Sequence, residues 1–402
     1  MMFSQELTSS LTLQTDARVV LFVLDGLGGL PHPKLGLTEL EAARTPNLDE
    51  LASNGVTGLS VPVVPGVSPG SGPGHLALFG YDPVSSNIGR GALSALGIGF
   101  NLNSSDLAVR LNFCTLDDSN NVIDRRAGRI STEHNKQLIK ELSGIVIDNG
   151  KIELATESQH RAVLVLRDGD FCADVQETDP QQTGVPPLRP EPLCKDAEST
   201  SVALCQFLQG VEDLIGDMTP ANFVLMRGYS GLPDLKPMGD LYKISPACAA
   251  AYPMYRGLAK AAGMAVLEAG DTLIDGVNTI CSKWTDHDFF FLHYKDPDAR
   301  GEDGDFDGKV ASIEQADSVI PDIMNMCPSA IVITGDHSTP ANLGQHSWHP
   351  VPFLISSKWC VPDNVSGFGE RSCMSGGLGT FSATDTMRLL LSHAGRMKKF
   401  GA

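Results

Sequence analysis

Residues 331–340 read Ile331-Val332-Ile333-Thr334-Gly335-Asp336-His337-Ser338-Thr339-Pro340, and this stretch is the clearest indication of the fold. Its first four residues favour β-structure, so it predicts a buried strand that ends at a glycine. A carboxylate and an imidazole follow side by side, at the strand end where sites form in open α/β sheets. Such a pair suits zinc or manganese, although an isolated Asp-His pair is more often part of a turn.

Two other strand-like runs also end in acidic residues. Residues 18–24 are followed directly by Asp25 and Gly26. Residues 289–295 are followed by Asp296, Asp298, Glu302 and Asp303. A single Asp after a strand is usually a helix cap or a turn residue. Three strands that each end in potential ligands favour a shared metal centre.

The composition and the net charge argue against several classes of function. The chain has 402 residues, a hydrophobic content of 42% and a net charge of -18. A chain of this length is expected to fold as two domains, because single cores rarely exceed roughly 250–300 residues. The negative charge argues against nucleic-acid and anionic-membrane partners, and an anionic substrate would need a local cationic or metal site.

The cysteines and the N-terminal residues indicate a reduced, cytoplasmic protein. The nine cysteines include no CxxC pair, which is typical of free thiols in the cytosol. The first residues carry no basic segment followed by a long apolar run, so no signal peptide is expected. No apolar run reaches the ~20 residues of a membrane-spanning helix.

Strands alternate with helical patterns along the chain, which predicts an α/β fold with a mostly parallel sheet covered by helices. The pattern changes between residues 95 and 234, where separate strands are expected at 160–166 and 223–227. We interpret 95–234 as a smaller inserted α/β domain. The metal-type residues lie on either side of it, in a core formed by 1–94 and 235–402.

A loop rich in glycine and proline, residues 64–80, contains a candidate nucleophile, Ser71. Ser71 stands where a helix is expected to begin, so it suits a helix N-cap. It also suits a nucleophile whose hydroxyl is deprotonated by a neighbouring metal ion. A helix N-terminus there would point backbone N–H groups at a phosphate, and the two roles are compatible.

Short motifs distributed over nearly the whole chain, from Val19 to Leu390, carry a family resemblance. They are Asp25-Gly26, Thr45-Pro46-Asn47-Leu48, Pro69-Gly70-Ser71, His75-Leu76-Ala77-Leu78, Tyr81-Asp82-Pro83, Arg110-Leu111-Asn112-Phe113, Asp124-Arg125-Arg126-Ala127-Gly128-Arg129, Tyr252-Pro253-Met254-Tyr255-Arg256-Gly257 and Thr334 to Pro340. Together they resemble the archaeal-type branch of cofactor-independent phosphoglycerate mutase, a family of the alkaline phosphatase superfamily. The resemblance implies an alkaline-phosphatase-like three-layer core interrupted by the inserted domain. It also implies interconversion of 3-phosphoglycerate and 2-phosphoglycerate through a phosphoserine intermediate, without 2,3-bisphosphoglycerate.

The resemblance further implies two divalent metal ions, with manganese expected and zinc, magnesium or cobalt as alternatives. One ion would be held by Asp25, Ser71, Asp336 and His337. The other would be held by Asp298, Glu302 and His346. The family usually has histidine where this chain has Glu302, and a carboxylate there should favour manganese over zinc.

The phosphoryl transfer requires the glycerate to stay bound between two half-reactions, so the inserted domain is expected to grip the substrate. Arginine forks suit the carboxylate and the phosphate of such a substrate. The candidate substrate-binding residues are Arg110, Asp124, Arg125, Arg126, Arg129, His160, Arg161 and Arg256. A short arginine cluster is more often a solvated surface, but the net charge of -18 favours a substrate role.

Other functions are compatible with the same sequence. The same metal ligands would serve a phosphatase, or a mutase that acts on another phosphorylated small molecule. A catalytically inactive sensor of a phosphorylated ligand is disfavoured, because every ligand position holds a competent donor and Ser71 is present. The oligomeric state does not follow from the sequence.

One segment imitates a calcium site. Residues 303–314 satisfy the EF-hand loop pattern, but the segment before them is expected to be a strand and a ligand loop rather than a helix. Apolar residues at helical spacing predict that a helix begins inside the supposed loop, so calcium binding is not expected. His287, His293 and His349 match no ligand position and are expected to be structural.

Overall fold

The computed structural model describes residues 5–86 and 88–401. Within them the chain divides into two compact units. The first unit combines the residues up to 86 with those from 235 onwards, and the second unit spans Ile88–Asp234. No helix among the described residues is long and apolar enough to cross a membrane.

Strands and helices alternate along most of the chain. The strands are β1 Val19–Leu24, β2 Val56–Val61, β3 Leu107–Leu116, β4 Val122–Asp124, β5 Lys151–Ser158, β6 Arg161–Arg167, β7 Phe223–Ser230, β8 Pro246–Ala249, β9 Ala265–Val266, β10 Phe289–Tyr294, β11 Ala330–Thr334, β12 Val351–Ser357 and β13 Gly379–Ser382. The α-helices are α1 Gln5–Leu11, α2 Glu39–Ala42, α3 Pro46–Asn54, α4 Ser71–Leu78, α5 Arg90–Gly97, α6 Thr132–Leu142, α7 Glu198–Ile215, α8 Met238–Tyr242, α9 Pro253–Ala261, α10 Leu273–Ser282, α11 Asp296–Glu302, α12 Phe306–Ser318, α13 Ile320–Asn325, α14 Glu370–Met374 and α15 Thr386–His393. The three strands predicted to deliver ligands are confirmed as β1, β10 and β11.

The first unit is built on an eight-stranded sheet with the strand order β13-β2-β12-β11-β1-β10-β8-β9. Strand β1 pairs in parallel with β10 on one side and with β11 on the other. Strand β12 is antiparallel to both of its neighbours, and the remaining pairs in this sheet are parallel. The predicted α/β class with a mostly parallel sheet is therefore confirmed. Because β1, β10 and β11 run side by side in one direction, the residues after their carboxyl ends meet at one edge of the sheet.

Both faces of this sheet are covered by helices. Every residue of β1 is fully buried, as expected for a parallel strand packed on both sides. On one face, Phe22 packs in a cluster with the helix residues Val277 and Ile313. On the other face, Phe79 at the end of α4 contacts Phe291, with 5.0 Å between the ring centroids. Each fully buried side chain of this kind contributes about 1.5–3 kcal/mol, so the strands that lead to the site are held firmly.

The second unit contains an antiparallel sheet in which β3 pairs with both β6 and β7. Strand β5 pairs with β6, and β4 pairs with the end of β3. Helices α6 and α7 contribute Leu138, Phe207 and Val211 to a cluster packed on this sheet. The strands predicted at 160–166 and 223–227 are observed as β6 and β7.

Helix α5 belongs to the second unit, so this unit starts at Ile88 rather than at residue 95. The backbone of Gly91 lies so close to β3 that a Cβ there would be 2.2 Å from the carbonyl oxygen of Ala108. The N–H of Ala92 donates to Oγ of Ser230 at 2.8 Å. Such close contacts require small residues, which give no sequence signal of a domain boundary.

The supposed EF-hand loop is not formed. Helix α12 begins at Phe306, inside the pattern, as predicted. Oδ1 of Asp305 accepts a hydrogen bond from the N–H of Gly308 at 2.9 Å, which caps this helix. The segment before the pattern is helix α11 rather than the predicted loop, because Pro297 in its first turn favours a helix start.

Candidate metal centre

Three carboxylates, those of Asp25, Asp298 and Asp336, come together at the carboxyl edge of the sheet in the first unit. Asp25 follows β1, Asp336 follows β11, and Asp298 lies in the first turn of α11 after β10. All three are fully buried. Buried carboxylates are unfavourable unless cations or hydrogen bonds compensate them. The surrounding residues must therefore supply one or the other.

The imidazole of His337 lies among these carboxylates. Its Nε2 is 3.1 Å from Oδ2 of Asp336 and 3.5 Å from Oδ1 of Asp25. Its Nδ1 is 2.9 Å from Oγ1 of Thr339, whose hydroxyl donates to Oδ1 of Asp298 at 2.6 Å. Because that hydroxyl proton is used on Asp298, Nδ1 of His337 is the donor to Thr339. Burial lowers the pKa of His337 against the pull of Asp336 and Asp25, so the ring is neutral and Nε2 presents a lone pair.

The hydroxyl of Ser71 faces the same imidazole. Ser71 is the first residue of helix α4, and Gly70 rather than Ser71 is its N-cap. Oγ of Ser71 is 3.1 Å from Nε2 of His337. Gly74 makes this approach possible, because a Cβ there would lie 2.3 Å from the carbonyl oxygen of Asp336. The N-terminus of helix α4 therefore has no side-chain cap. The hydroxyl of Ser71 is directed instead toward His337 and the acids around it.

A second group of potential ligands surrounds His346. Its Nε2 is 3.5 Å from Oδ1 of Asp298 and 3.5 Å from Oε1 of Glu302. Its Nδ1–H donates to the carbonyl oxygen of Pro69 at 2.9 Å, which turns Nε2 toward the acids. Burial lowers the pKa of His346, but the hydrogen bonds with Glu302 and Pro69 outweigh it and raise this pKa to about 9. The rings of His346 and His337 stack with centroids 3.7 Å apart, so the two groups adjoin.

Two residues at the end of β10, His293 and Lys295, also contact the acids and were not predicted as site residues. Nε2 of His293, which was expected to be structural, is 2.8 Å from Oδ2 of Asp25. Nζ of Lys295 is 3.4 Å from Oδ1 of Asp25, and it also pairs with Asp298. The ring of Tyr255 stacks on His293 with centroids 3.7 Å apart. Alternation along a strand places residues 293 and 295 on one side, and this signal could have identified them.

His75 was also missed as a site residue, although its motif contributed to the family resemblance. It is fully buried one helical turn after Ser71. Its Nδ1 is 2.8 Å from the carbonyl oxygen of Ser71 and 3.1 Å from Oδ2 of Asp336. The spacing of four residues along a helix is the signal that connects His75 with Ser71.

The charges and donors of this centre fit divalent cations. Burial raises the pKa of Asp25, but Lys295 and the neighbouring histidines hold it well below its usual value. Oδ2 of Asp336 is buried and accepts no hydrogen bond within the described structure, although two imidazole nitrogens lie 3.1 Å away. Carboxylates, imidazoles and a hydroxyl are donors that manganese and zinc accept. Among the described residues, three groups at this centre have ligand atoms within 4.8 Å of one another: Asp25, Asp336 and His337; Asp298, His337 and His346; and Asp25, His75 and His293.

The second unit contains a cavity of about 190 Å³ with a strongly cationic lining. Its lining residues are Arg90, Arg110, Asn112, Arg125, Arg126, His160, Arg161 and Arg227. Five of them were predicted as substrate-binding residues: Arg110, Arg125, Arg126, His160 and Arg161. Arg90 and Arg227 were missed, because each stands far along the sequence from the arginine cluster at 125–129.

A buried carboxylate, that of Asp179, anchors two arginines of this cavity. Arg125 donates to it through Nε at 2.9 Å and through Nη2 at 2.7 Å. Nη1 of Arg227 donates to Oδ2 of the same carboxylate at 3.3 Å. Burial, and then the surrounding arginines led by Arg161, lower the pKa of His160 to about 4. His160 is therefore neutral at pH 7, and the cavity keeps a positive potential that suits an oxyanion.

Three of the predicted substrate-binding residues do not line this cavity: Asp124, Arg129 and Arg256. The carboxylate of Asp124 accepts a hydrogen bond from the N–H of Gly128 at 2.6 Å. Gly128 and Arg129 both have positive φ, 63° and 54°, so Asp124 shapes the turn that carries the arginine cluster. Arg256 belongs to the first unit, where it donates to Glu268 at 2.9 Å.

Comparisons of the sequence with known proteins agree on one family. Residues 52–220 match the family model described as 2,3-bisphosphoglycerate-independent phosphoglycerate mutase. A probable 2,3-bisphosphoglycerate-independent phosphoglycerate mutase of Thermus thermophilus is 45% identical over 397 residues, which cover 98% of each chain. A protein of Aquifex aeolicus with the same description is 43% identical, over 99% of this chain and 100% of that one.

Two solved structures are similar to the described fold over nearly its whole length. A protein from Pyrococcus horikoshii has a TM-score of 0.84 and 30% identity, and the match covers 96% of this chain and 99% of that chain. The cofactor-independent phosphoglycerate mutase from Thermoplasma acidophilum has a TM-score of 0.70 and 27% identity, over 94% of this chain and 99% of that chain.

Proposed function

The chain belongs to the 2,3-bisphosphoglycerate-independent phosphoglycerate mutase family, and on this basis we propose that it interconverts 3-phosphoglycerate and 2-phosphoglycerate through a phosphoserine at Ser71. The observation that carries the proposal is the position of Oγ of Ser71, 3.1 Å from Nε2 of His337 beside the buried acids. A serine that does not cap its helix, yet faces ionised carboxylates, is suited to act as a nucleophile.

Two divalent metal ions are proposed to bind beside the buried carboxylates of Asp25, Asp298 and Asp336. Manganese is the preferred ion because Glu302 adds an oxygen donor. When bound, such ions would lower the pKa of the serine hydroxyl and neutralise the phosphoryl oxygens. The proposed ligands are Asp25, Ser71, Asp336 and His337 for one ion, and Asp298, Glu302 and His346 for the other. The outer partners of the two imidazoles, Thr339 and the carbonyl of Pro69, orient the rings for this role.

The first half-reaction would transfer the phosphoryl group of 3-phosphoglycerate to Oγ of Ser71. The bond from phosphorus to the substrate oxygen breaks as the bond to Oγ forms, and the released hydroxyl gains the proton that Ser71 loses. In the second half-reaction, the neighbouring hydroxyl of the glycerate attacks the phosphoserine, and Ser71 is restored. Backbone N–H groups at the start of α4 and the ammonium group of Lys295 supply positive charge for the phosphoryl oxygens.

The arginine cavity of the second unit favours a mutase over a phosphatase. Glycerate that escapes between the half-reactions leaves a phosphoserine that water hydrolyses, so a mutase needs a second grip on its substrate. Arginine forks bind carboxylates and phosphates through paired hydrogen bonds. We assign this grip to Arg110, Arg126 and Arg161, with Asp179 fixing Arg125 and Arg227 beside them.

The cytoplasm is the proposed compartment of this activity. The nine cysteines are all free thiols, as is usual in reducing compartments. Detection of the activity in the secreted fraction of the source cells, and not in the soluble cell extract, would contradict this assignment.

The function is tested with the purified chain, 3-phosphoglycerate and manganese, without 2,3-bisphosphoglycerate. Enolase coupled to the reaction reports 2-phosphoglycerate, and a parallel assay measures free phosphate. Production of 2-phosphoglycerate well in excess of phosphate is expected. Release of phosphate without formation of 2-phosphoglycerate would show that the chain is a phosphatase and not a mutase.

A pair of matched variants tests the role of the nucleophile. Ser71→Ala should abolish turnover and leave the protein folded. Ser68→Ala changes an exposed serine of the same loop and should retain activity. A Ser71→Ala protein with wild-type turnover would refute the covalent transfer.

A further inference from the structure

Away from the proposed active site, two cysteines and an aspartate of the second unit lie close together: Cys172, Asp174 and Cys194. The two sulfur atoms are 3.8 Å apart. Sγ of Cys194 is 3.8 Å from Oδ2 of Asp174. The three potential ligand atoms all lie within 4.8 Å of one another, and both thiols are only partly exposed.

Backbone hydrogen bonds hold this cluster in place. The N–H of Leu193 donates to the carbonyl oxygen of Asp174 at 2.8 Å, which pairs the two segments that carry the thiols. The N–H of Cys172 donates at 2.8 Å to Oγ1 of Thr200, a fully buried residue of α7. The proximity of the three side chains is therefore built into the fold, although they are separated along the sequence.

The distances match those between the ligands of a tetrahedral metal ion. Bonds of about 2.3 Å from zinc to sulfur place two thiolates about 3.8 Å apart, and a carboxylate oxygen about 3.6 Å from either sulfur. We propose that Cys172, Cys194 and Asp174 form a binding site for a thiophilic divalent cation of the zinc class. The three side chains supply three ligands, and water would complete the tetrahedron.

The proposed site adjoins the arginine cavity along the chain. Asp174 is followed by Glu177 and Asp179, which accept hydrogen bonds from Arg227 and Arg125. A cation bound by both thiols would link the two ends of segment 172–194 and so restrain those carboxylates. The inference concerns cation binding and does not depend on the proposed mutase activity.

Cobalt(II) is the probe, because thiolate-to-cobalt charge transfer gives an absorption band that a site of carboxylates and imidazoles lacks. The full chain is stripped of metal with a chelator, reduced with a phosphine and titrated with cobalt. A charge-transfer band with the amplitude of one thiolate-bound cobalt ion per chain is expected, and zinc should abolish it. Asp174→Asn should weaken the cobalt affinity of this band by about 10–100-fold, a loss typical of a weakened metal site.

Paired cysteine variants locate the site. Cys172→Ser combined with Cys194→Ser should lose the band and lower the bound metal by one equivalent per chain. Cys205→Ser combined with Cys327→Ser, which changes two exposed cysteines, should retain both.

Three results would overturn the proposal. They are absence of the band in the reduced wild-type chain, an unchanged band in Cys172→Ser combined with Cys194→Ser, and an unchanged affinity in Asp174→Asn. The last variant alters only an exposed side chain, so a failure of the cysteine variant to fold does not remove the test.

Discussion

Replacement of Gly74 by alanine should move the proposed nucleophile, Ser71, away from the acids. The substitution changes neither Ser71 nor any of the acidic residues. A Cβ at this position would lie 2.3 Å from the carbonyl oxygen of Asp336 and 3.0 Å from its carbonyl carbon. Ordinary contacts between carbon and oxygen are about 3.3 Å or longer, so helix α4 would have to move by about 1 Å. Ser71 begins that helix and would move with it.

The size of the effect follows from the displacement. A misplacement of about 1 Å at a reacting group lowers turnover by about 100-fold, which corresponds to about 2.7 kcal/mol of transition-state stabilisation. Overpacking of this kind also lowers the free energy of unfolding by about 1–3 kcal/mol. We therefore expect Gly74→Ala to remain folded, with kcat about 100-fold below that of the wild type.

The assay is the enolase-coupled reaction at saturating 3-phosphoglycerate and manganese, with the thermal midpoint measured in parallel. Gly70→Ala is the matched control at the same helix end, because its Cβ would meet nothing closer than Cδ of Pro73 at 3.8 Å. Its φ of -85° is one that alanine adopts readily, so its metal content should match that of the wild type. Its free energy of unfolding should fall only by the ~1 kcal/mol typical of an alanine N-cap. A folded Gly74→Ala protein with kcat within about threefold of the wild type would refute the proposed closeness of Ser71 to the acids.

Four further predictions concern the metal ligands and the arginine cavity. Glu302→Gln should raise the manganese concentration for half-maximal activity by about tenfold, and an unchanged titration would remove Glu302 from the ligands. The pKa of about 9 for His346 means that manganese displaces a proton there. Manganese affinity should therefore rise about tenfold per pH unit from about pH 7 to about pH 9 and then level off, and a flat profile would contradict this. In protein stripped of metal, the raised pKa means that protonated His346 stabilises the fold. This stabilisation is complete below pH 6.5, the ordinary pKa of histidine, and is lost as the pH rises through about 9. The thermal midpoint of the stripped protein should thus contain a component that declines across that window. Asp179→Asn removes the anchor of Arg125 and Arg227 and should raise KM for 3-phosphoglycerate at least about tenfold, or 1.4 kcal/mol, with a smaller change in kcat. An unchanged KM would show that Asp179 does not contribute to substrate binding.

The parts of the fold that follow from local patterns could be predicted from the sequence. Strands β1, β10 and β11 are short apolar runs that end in acids, and their parallel pairing follows from the alternation of strands and helices. Topology then brings Asp25, Asp298 and Asp336 to one edge of the sheet. The strand pattern alone gave four acids after β10, and the family resemblance was needed to select Asp298 among them.

The residues that sequence reasoning missed depend on three-dimensional packing. His293 contacts Asp25 across adjacent strands, and its two neighbours in β10 are apolar or aromatic residues. Arg227 reaches the arginine cavity only because β7 pairs with β3. In the sequence, Gly74 is one of several glycines in a predicted loop. Only the short distance to the carbonyl oxygen of Asp336 shows that a side chain cannot fit there. In each case the partner is distant in sequence. Alternation along β10 shows that residues 293 and 295 share one side, but it does not show that His293 reaches Asp25.

Identification of the residue that carries the phosphoryl group during turnover is the most direct test of the proposed phosphoserine at Ser71. The enzyme is incubated with manganese and 3-phosphoglycerate that carries a labelled phosphate, quenched in acid during turnover and digested for mass spectrometry. We expect labelled phosphate on Ser71, formed at least as fast as turnover and absent from Ser71→Ala. Turnover with the label on another residue, or with no label on the protein, would contradict it.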